Sequence, residues 1–149
     1  MLNKDLREFV GLLLSHEIKF LVVGAVALAF HMRPRYTGDL DIWVAAEADS
    51  AQKLERVVYE FGFQSTDLST DDFLIADQVI QLGVEPYRID ILTGLSGLSF
   101  DHAWENRVTG QLADFSVHYL SKQDLILNKR ATARDQDLVD VRLLEDDEA

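Results

Sequence analysis

Two aspartates separated by a single residue, Asp39 and Asp41, lie in a stretch that otherwise has the composition of a buried strand. Side chains at positions i and i+2 of a strand point to the same face, so both carboxylates project together while Leu40 and Ile42 face a core. A buried carboxylate without a partner costs several kcal/mol, so this face requires protons, basic partners or a cation. A divalent ion such as Mg²⁺ meets the requirement most simply, because hard cations bind carboxylate oxygens together with water and substrate phosphates.

Two further features have the residue types that would complete such a site. Asp90 lies inside the alternating stretch YRIDILT, which predicts a strand with a third acid in its interior. Gly24 ends the apolar run Phe20–Val23, and a helix that begins at Ala25 would offer backbone N–H groups and the positive end of its dipole. This glycine turn is therefore a candidate phosphate cradle, and Asp90 is a candidate third carboxylate of the same site.

Helices and strands are predicted to alternate along the chain that carries these residues. The predicted strands are 20–23, 39–45, 78–83, 87–93 and 115–119. The predicted helices are one after Asn3, with apolar positions from Leu6 to Leu14 at helical spacing, then 25–32, 50–61, 99–107 and two after about residue 121. Asn3 is the expected N-cap of the first helix, and Ser121 with Asp124 fits a capping box. Residues 64–77 are interpreted as a loop with one helical turn, and 145–149 as an acidic tail. This order predicts an α/β (or α+β) fold, a mixed twisted sheet backed by helices.

Composition limits the classes of function. A length of 149 residues indicates one domain, and a net charge of −12 repels nucleic-acid backbones and anionic membranes, so any RNA contact would have to be local. The absence of cysteine excludes a thiolate nucleophile or a thiolate metal site. The longest apolar run is too short to span a bilayer and the first residues lack a signal-peptide pattern, so a cytoplasmic location without a membrane partner is expected.

The order of these motifs resembles the nucleotidyltransferase superfamily, whose fold is that of DNA polymerase β. The glycine–alanine pair is followed after thirteen residues by D-x-D, and a lone aspartate comes in a later strand. The segments FLVVGAVALAFHMRPRYTGDLDIWV, YRIDILTGLSGLSFDHAWENR and LSKQDLILNKRATARDQDLVDV more narrowly resemble small bacterial nucleotidyltransferases related to the AbiEii-type abortive-infection toxins. The resemblance covers nearly the whole chain.

This resemblance implies transfer of a nucleoside monophosphate from an NTP to a hydroxyl group, with Mg²⁺ or Mn²⁺ as cofactor. Asp39, Asp41 and Asp90 would be the catalytic and metal-binding acids. The implied nucleotide-binding residues are Gly24, Ala25, Arg35, Thr37, Lys129 and Arg134. The acceptor stays open between an RNA 3′ end such as that of tRNA, a protein side chain and an aminoglycoside- or lincosamide-like small molecule, with acidity favouring a cationic small molecule or a protein. A toxin–antitoxin or phage-defence setting, with a cognate antitoxin or toxin as partner, is also implied.

Several residues favour a different interpretation. Superfamily members usually have Gly or Ser where this chain has Ala25, and Met32 adds bulk where a small residue is expected. The alternative is therefore a catalytically weakened protein that binds nucleotide or protein as a regulatory or antitoxin module. A purely structural interpretation of Asp39 and Asp41 is also open, in which the two acids make turn or ion-pair contacts at a strand end. The histidines show no metal-ligand spacing, and His31 is predicted to be packed and hydrogen-bonded.

Overall fold

The computed structural model describes residues 3–32, 38–62, 68–84 and 87–146. The helices are α1 (Lys4–Ser15), α2 (Gly24–His31), α3 (Ala48–Glu60), α4 (Phe100–Glu105), α5 (Lys122–Thr132) and α6 (Asp135–Asp146), with a 3₁₀ helix at Thr70–Phe73. The strands are β1 (Phe20–Val23), β2 (Asp39–Val44), β3 (Val79–Val84), β4 (Tyr87–Leu92), β5 (Val108–Leu112) and β6 (Phe115–Tyr119). The predicted nucleotide contacts Arg35 and Thr37 lie outside the described residues, as does the acidic tail after Asp146.

The described strands form one six-stranded sheet in the order β3-β4-β2-β1-β6-β5. Strand β2 is antiparallel to β1 and parallel to β4, and β1 is parallel to β6. The outer pairs β3–β4 and β5–β6 are antiparallel. The sheet is therefore mixed and helices cover it, which confirms the predicted α/β architecture.

The two faces of β2 belong to two different apolar clusters. Leu40, Ile42 and Val44 are fully buried in a cluster that includes residues of α1 and α3. Trp43, one position out of phase with them, is buried in the other cluster with residues of α4, α5 and α6. Because Asp39 and Asp41 share the phase of Trp43, their carboxylates lie on the face that the C-terminal helices cover.

The first helix and α5 begin where the sequence signals place them, with a correction to the predicted capping box of α5. Helices α3 (Ala48–Glu60) and α4 (Phe100–Glu105) differ by one or two residues at each end from the predicted 50–61 and 99–107. The Asn3 side chain accepts from the backbone N–H groups of Asp5 at 2.8 Å and Leu6 at 3.4 Å, as expected of an N-cap. Ser121 Oγ accepts from the backbone N of Asp124 at 3.1 Å. The Asp124 carboxylate does not complete the predicted capping box, because it accepts from Asn106 Nδ2 at 3.3 Å.

Strand β5 is an element that the sequence does not predict. Its sequence, VTGQL, has no alternating apolar face, and its side chains are exposed or half-buried at the edge of the sheet. A Cβ at Gly110 would lie 2.4 Å from the ring of Phe30, which stacks on Tyr119 at 3.9 Å. The absence of a side chain at Gly110 lets the Phe30 ring pack against the backbone of β5, and hydrogen bonds to β6 hold the strand in place. Across the described residues, no helix is both long and apolar enough to cross a bilayer.

Candidate active site

Asp41 lies at the centre of the candidate site because of its position in the sheet. In the middle of β2 it is paired with Val23 of β1 on one side and with Asp90 of β4 on the other. Residues paired across neighbouring strands direct their side chains to the same face. Asp39 shares this face because it lies two positions before Asp41 in the same strand. The fold thus brings the three predicted acids to one face of adjacent strands.

The turn between β1 and α2 lies directly against the Asp41 carboxylate. Gly24 has a φ of +66°, and a Cβ at this position would lie 2.1 Å from Asp41 Oδ2. Both the backbone conformation and this contact require glycine. Helix α2 begins at Gly24 itself, one residue earlier than predicted, and its N-cap, Val23, makes no side-chain capping hydrogen bond. The N–H end of the helix therefore lies beside the acids.

Arg88 is a site residue that sequence reasoning missed. Its Nε donates to Asp90 Oδ1 at 2.9 Å, and its Nη2 donates to Asp90 Oδ2 at 3.1 Å and lies 3.4 Å from Asp39 Oδ2. The signal was in the sequence, since Arg88 precedes Asp90 by two positions of the same strand and so shares its face. A basic partner is thus one of the ways in which this acidic face is stabilised.

A proton shared between Asp41 and Asp90 is a second way in which the acidic face is stabilised. Burial raises the pKa of Asp41 to about 7, with a hydrogen bond to Asp90 and the negative charges of Asp90 and Asp39 acting in the same direction. The charge of Arg88 acts in the opposite direction and does not cancel these effects. Within the part of the chain that the structure describes, the buried Asp41 Oδ1 has no hydrogen-bond partner. Asp41 is therefore the acid whose charge is least compensated by the protein.

The raised pKa of Asp41 predicts how stability depends on pH without metal. A folded-state pKa above the unfolded value of 3.8 contributes stability that is complete below pH 3.8 and lost as pH rises through about 7. We expect Asp41→Asn to match the wild type below pH 3.8 and to exceed its free energy of unfolding increasingly as pH rises, by about 1 kcal/mol more at pH 8 than at pH 6. Unfolding curves in EDTA across this range measure the difference. A variant less stable than the wild type at pH 8 would identify Asp41 as a structural ion-pair partner.

A cleft of about 750 Å³ opens beside these residues. The β1–α2 turn and Asp41 line one side, and α5 with the start of α6 lines another. The lining residues from the C-terminal helices include Leu125, Asn128, Lys129, Thr132, Arg134 and Asp137. The cleft therefore joins the glycine turn, Asp41 and the two predicted basic residues in one space.

The charges of those two basic residues are already compensated by acids of α6. Lys129 Nζ lies 3.0 Å from Asp140 Oδ2 and 3.8 Å from Asp137 Oδ1. Arg134 Nε donates to Asp137 Oδ2 at 2.8 Å, and Arg134 Nη2 donates to Asp137 Oδ1 at 3.2 Å. These two bonds, together with one from the Thr132 hydroxyl, hold the pKa of Asp137 well below its usual range. Lys129 and Arg134 thus border the cleft as members of an ion-paired network with buried carboxylates, and their role in nucleotide binding stays a prediction.

Residues 2–146 match the family described as "Nucleotidyl transferase of unknown function (DUF2204)". The chain belongs to this family. No protein of curated function matches the DUF2204 chain by sequence.

Solved nucleotidyltransferase structures share the fold of the DUF2204 chain at low sequence identity. It is similar to the lincosamide antibiotic adenylyltransferase LnuA with lincomycin bound, at a TM-score of 0.59 and 15% identity over 97% of each chain. It is also similar to a putative nucleotidyltransferase from Thermotoga maritima, at a TM-score of 0.55 and 16% identity over 95% of this chain and 88% of that one. For a nucleotidyltransferase-like protein from Paracoccidioides brasiliensis, the TM-score is 0.56 at 13% identity, with 94% and 74% covered.

The donors present in the DUF2204 chain suit a hard divalent cation. Three carboxylates share one face, and Asp41 offers a buried oxygen without a hydrogen-bond partner in the described part of the chain. Over the same residues, no group of three His, Asp or Glu side chains is arranged to hold a metal ion together. Arg88 contacts two of the three acids. The carboxylate donors of the site therefore fit a divalent cation, whereas in this structure Asp39 and Asp90 are arranged as ion-pair partners of Arg88.

The histidines of the DUF2204 chain stay apart from this site. His31 Nε2 lies 2.6 Å from the backbone oxygen of Leu120, and burial lowers its pKa. This confirms the prediction that His31 is packed and hydrogen-bonded. His16 is paired with Glu60 at 2.7 Å and His118 with Thr109 at 3.1 Å. Their contacts are structural.

Proposed function

We propose that this DUF2204-family protein transfers a nucleoside monophosphate from an NTP to an acceptor hydroxyl, with Mg²⁺ or Mn²⁺ as cofactor. The observation that carries the proposal is the pairing of Asp41 with Asp90 across parallel strands, directly under the Gly24 turn. A phosphate-binding turn and clustered carboxylates at the same end of a strand meet the two requirements of nucleotidyl transfer, which are to bind the triphosphate and to neutralise its charge.

Asp39, Asp41 and Asp90 would hold the cation, which when bound neutralises charge on the phosphates and orients the leaving pyrophosphate. The N–H groups at the start of α2, from Gly24 and Ala25 onward, donate to the triphosphate. Lys129 borders the same cleft from α5. Since Asp140 holds its ammonium at 3.0 Å, Lys129 contributes a positioned charge and not a mobile one.

The reaction itself is a displacement at the α-phosphorus. The acceptor oxygen forms a bond to this phosphorus, the bond to the oxygen bridging the α- and β-phosphates breaks, and pyrophosphate leaves. The proton of the acceptor hydroxyl passes to a carboxylate of the cluster, for which Asp90 is the candidate because it lies beside Asp41 on the adjacent strand. The fixed register of β2 and β4 keeps the acids aligned for this transfer.

The acceptor that we favour is a cationic small molecule. The acids that line the cleft are Asp41, Asp77 and Asp137, and the chain as a whole carries −12. An RNA 3′ end and a protein hydroxyl are the other acceptors to test. We also propose that the protein acts in a toxin–antitoxin or phage-defence system and is related to the AbiEii-type toxins.

The test is incubation with Mg²⁺ or Mn²⁺ and each NTP labelled either at the α- or at the γ-phosphate. The acceptor pools are cellular RNA, total protein, aminoglycosides and lincosamides. Label from the α-phosphate is expected in one pool, with γ-label released as pyrophosphate. If NTP binds but neither label moves in any pool, the chain is a nucleotide-binding regulatory module and the proposal is wrong.

Ala25 offers a graded test of where the triphosphate binds. Ala25→Ser adds a hydroxyl donor at the start of α2, and one hydrogen bond to a charged phosphate is worth about 1.5–3 kcal/mol. We expect NTP affinity or transfer rate to rise roughly ten- to a hundred-fold. Ala29→Ser, one turn further along the helix, is the control and should leave both unchanged. If Ala25→Ser and Ala25→Gly both behave as the wild type, the phosphates bind elsewhere.

A further inference from the structure

Arg88 makes its contacts with the same oxygens that a divalent cation would use. Its guanidinium engages both oxygens of Asp90, at 2.9 and 3.1 Å, and approaches Asp39 Oδ2 at 3.4 Å. The pairing follows from register, because Arg88 lies opposite Asp39 and two positions before Asp90. The Asp90 side chain is 11% exposed and that of Arg88 27%, so solvent screens this pair only in part.

We propose that Arg88 is the built-in counter-ion of the carboxylate cluster, a positioning residue that the divalent cation displaces. It orients Asp90 and Asp39 before the cation arrives and compensates their charge. When the cation binds, Arg88 releases at least one Asp90 oxygen. This inference rests on the proposed function, since it presupposes that the three acids hold a cation.

A positive charge in contact with two ligands opposes cation binding in two ways. It repels the cation directly, and it competes for the carboxylate oxygens through a two-point hydrogen bond. Its removal leaves Asp39, Asp41 and Asp90 with less compensation in the metal-free protein. The counter-ion role therefore predicts opposite effects on two measurable properties: higher affinity for the cation and lower stability without it.

The experiment is titration of Mn²⁺ alone, without nucleotide, into wild type and Arg88→Gln. We expect Arg88→Gln to bind Mn²⁺ about ten-fold more tightly, because one repulsive charge and one competitor are removed. Its Tm in EDTA should fall below that of the wild type, and saturating Mn²⁺ should close the gap. Arg7→Gln is the matched control, because Arg7 also pairs with an aspartate, Asp114 at 2.7 Å, but does so on α1 and in solvent. It should leave Mn²⁺ affinity unchanged.

Arg88→Lys separates charge from packing and covers the case in which Arg88→Gln does not fold. It keeps one positive charge without the planar fork, so its Mn²⁺ affinity should stay within about two-fold of the wild type. A purely structural role predicts that Lys and Gln perturb Mn²⁺ binding alike, and such a result overturns the inference. Equal Mn²⁺ affinity of wild type and Arg88→Gln also overturns it while leaving the proposed function intact. If neither protein binds Mn²⁺, the cation site of the proposed function is wrong, and Arg88 is a permanent ion-pair partner.

Discussion

Asp41→Asn is expected to reduce nucleotidyl transfer by about a thousand-fold in a protein that stays folded. The side chain keeps its size, and the uncharged amide resembles the protonated acid that burial and Asp90 favour below pH 7. What is lost is the charged oxygen that would bind the cation beneath the triphosphate, a contribution of several kcal/mol to the transition state. Label transfer from α-labelled NTP at saturating Mg²⁺ measures the effect.

Asp49→Asn is the matched control for this result. Asp49 lies on α3 with its side chain 81% exposed, so removal of its charge changes the net charge equally without touching the cleft. We expect full activity from it. Asp41→Asn with more than a tenth of wild-type activity would show that this carboxylate does not support the reaction.

Gly24→Ala is expected to reduce transfer at least a hundred-fold and to destabilise the fold. The new Cβ would lie 2.1 Å from Asp41 Oδ2 and 2.9 Å from its Cγ, so the carboxylate or the turn has to shift. A displacement of about 1 Å in a catalytic group can cost about a hundred-fold in rate. The φ of +66° adds about 1–2 kcal/mol of backbone strain. Initial rates and the Tm of the purified variant measure the two effects separately.

Gly62→Ala isolates the strain from the contact. Gly62 also has a positive φ, of +116°, but among the residues that the structure describes a Cβ there would meet no atom within 4 Å. It should therefore lose stability without losing activity. If Gly24→Ala loses no more activity than Gly62→Ala, the glycine turn is a tight connection and the acids function independently of it.

The convergence of the acids with the glycine turn could be predicted because each signal is local. Alternation fixes the common face of Asp39 and Asp41 from sequence alone, and the apolar neighbours of Asp90 identify its strand. A glycine at the end of a buried strand indicates a turn that no larger residue fits. Pairing of β2 with β1 and β4 is then sufficient to bring the three acids and Gly24 together.

Partners that come from distant parts of the chain could not be predicted in this way. Nothing in the sequence near Lys129 shows that Asp140 of the next helix lies 3.0 Å from its ammonium group. The spacing of Arg88 and Asp90 shows their common face, but the contact of Arg88 with Asp39 depends on the register of β4 with β2. Strand β5 lacks an apolar face, so only its pairing with β6 reveals it.

The parallel pairing of β2 with β4 has a consequence for recognising relatives of this protein. Hydrogen bonds between the two strands fix the distance from Asp41 to Asp90, whereas the loops that join α3, the 3₁₀ helix and β3 between them set only the length of the return path along the chain. Insertions or deletions in that return path can therefore accumulate during evolution without moving the acids. A search that fixes the number of residues between D-x-D and the third aspartate would discard genuine homologues, and one that requires the third aspartate within an alternating strand would retain them.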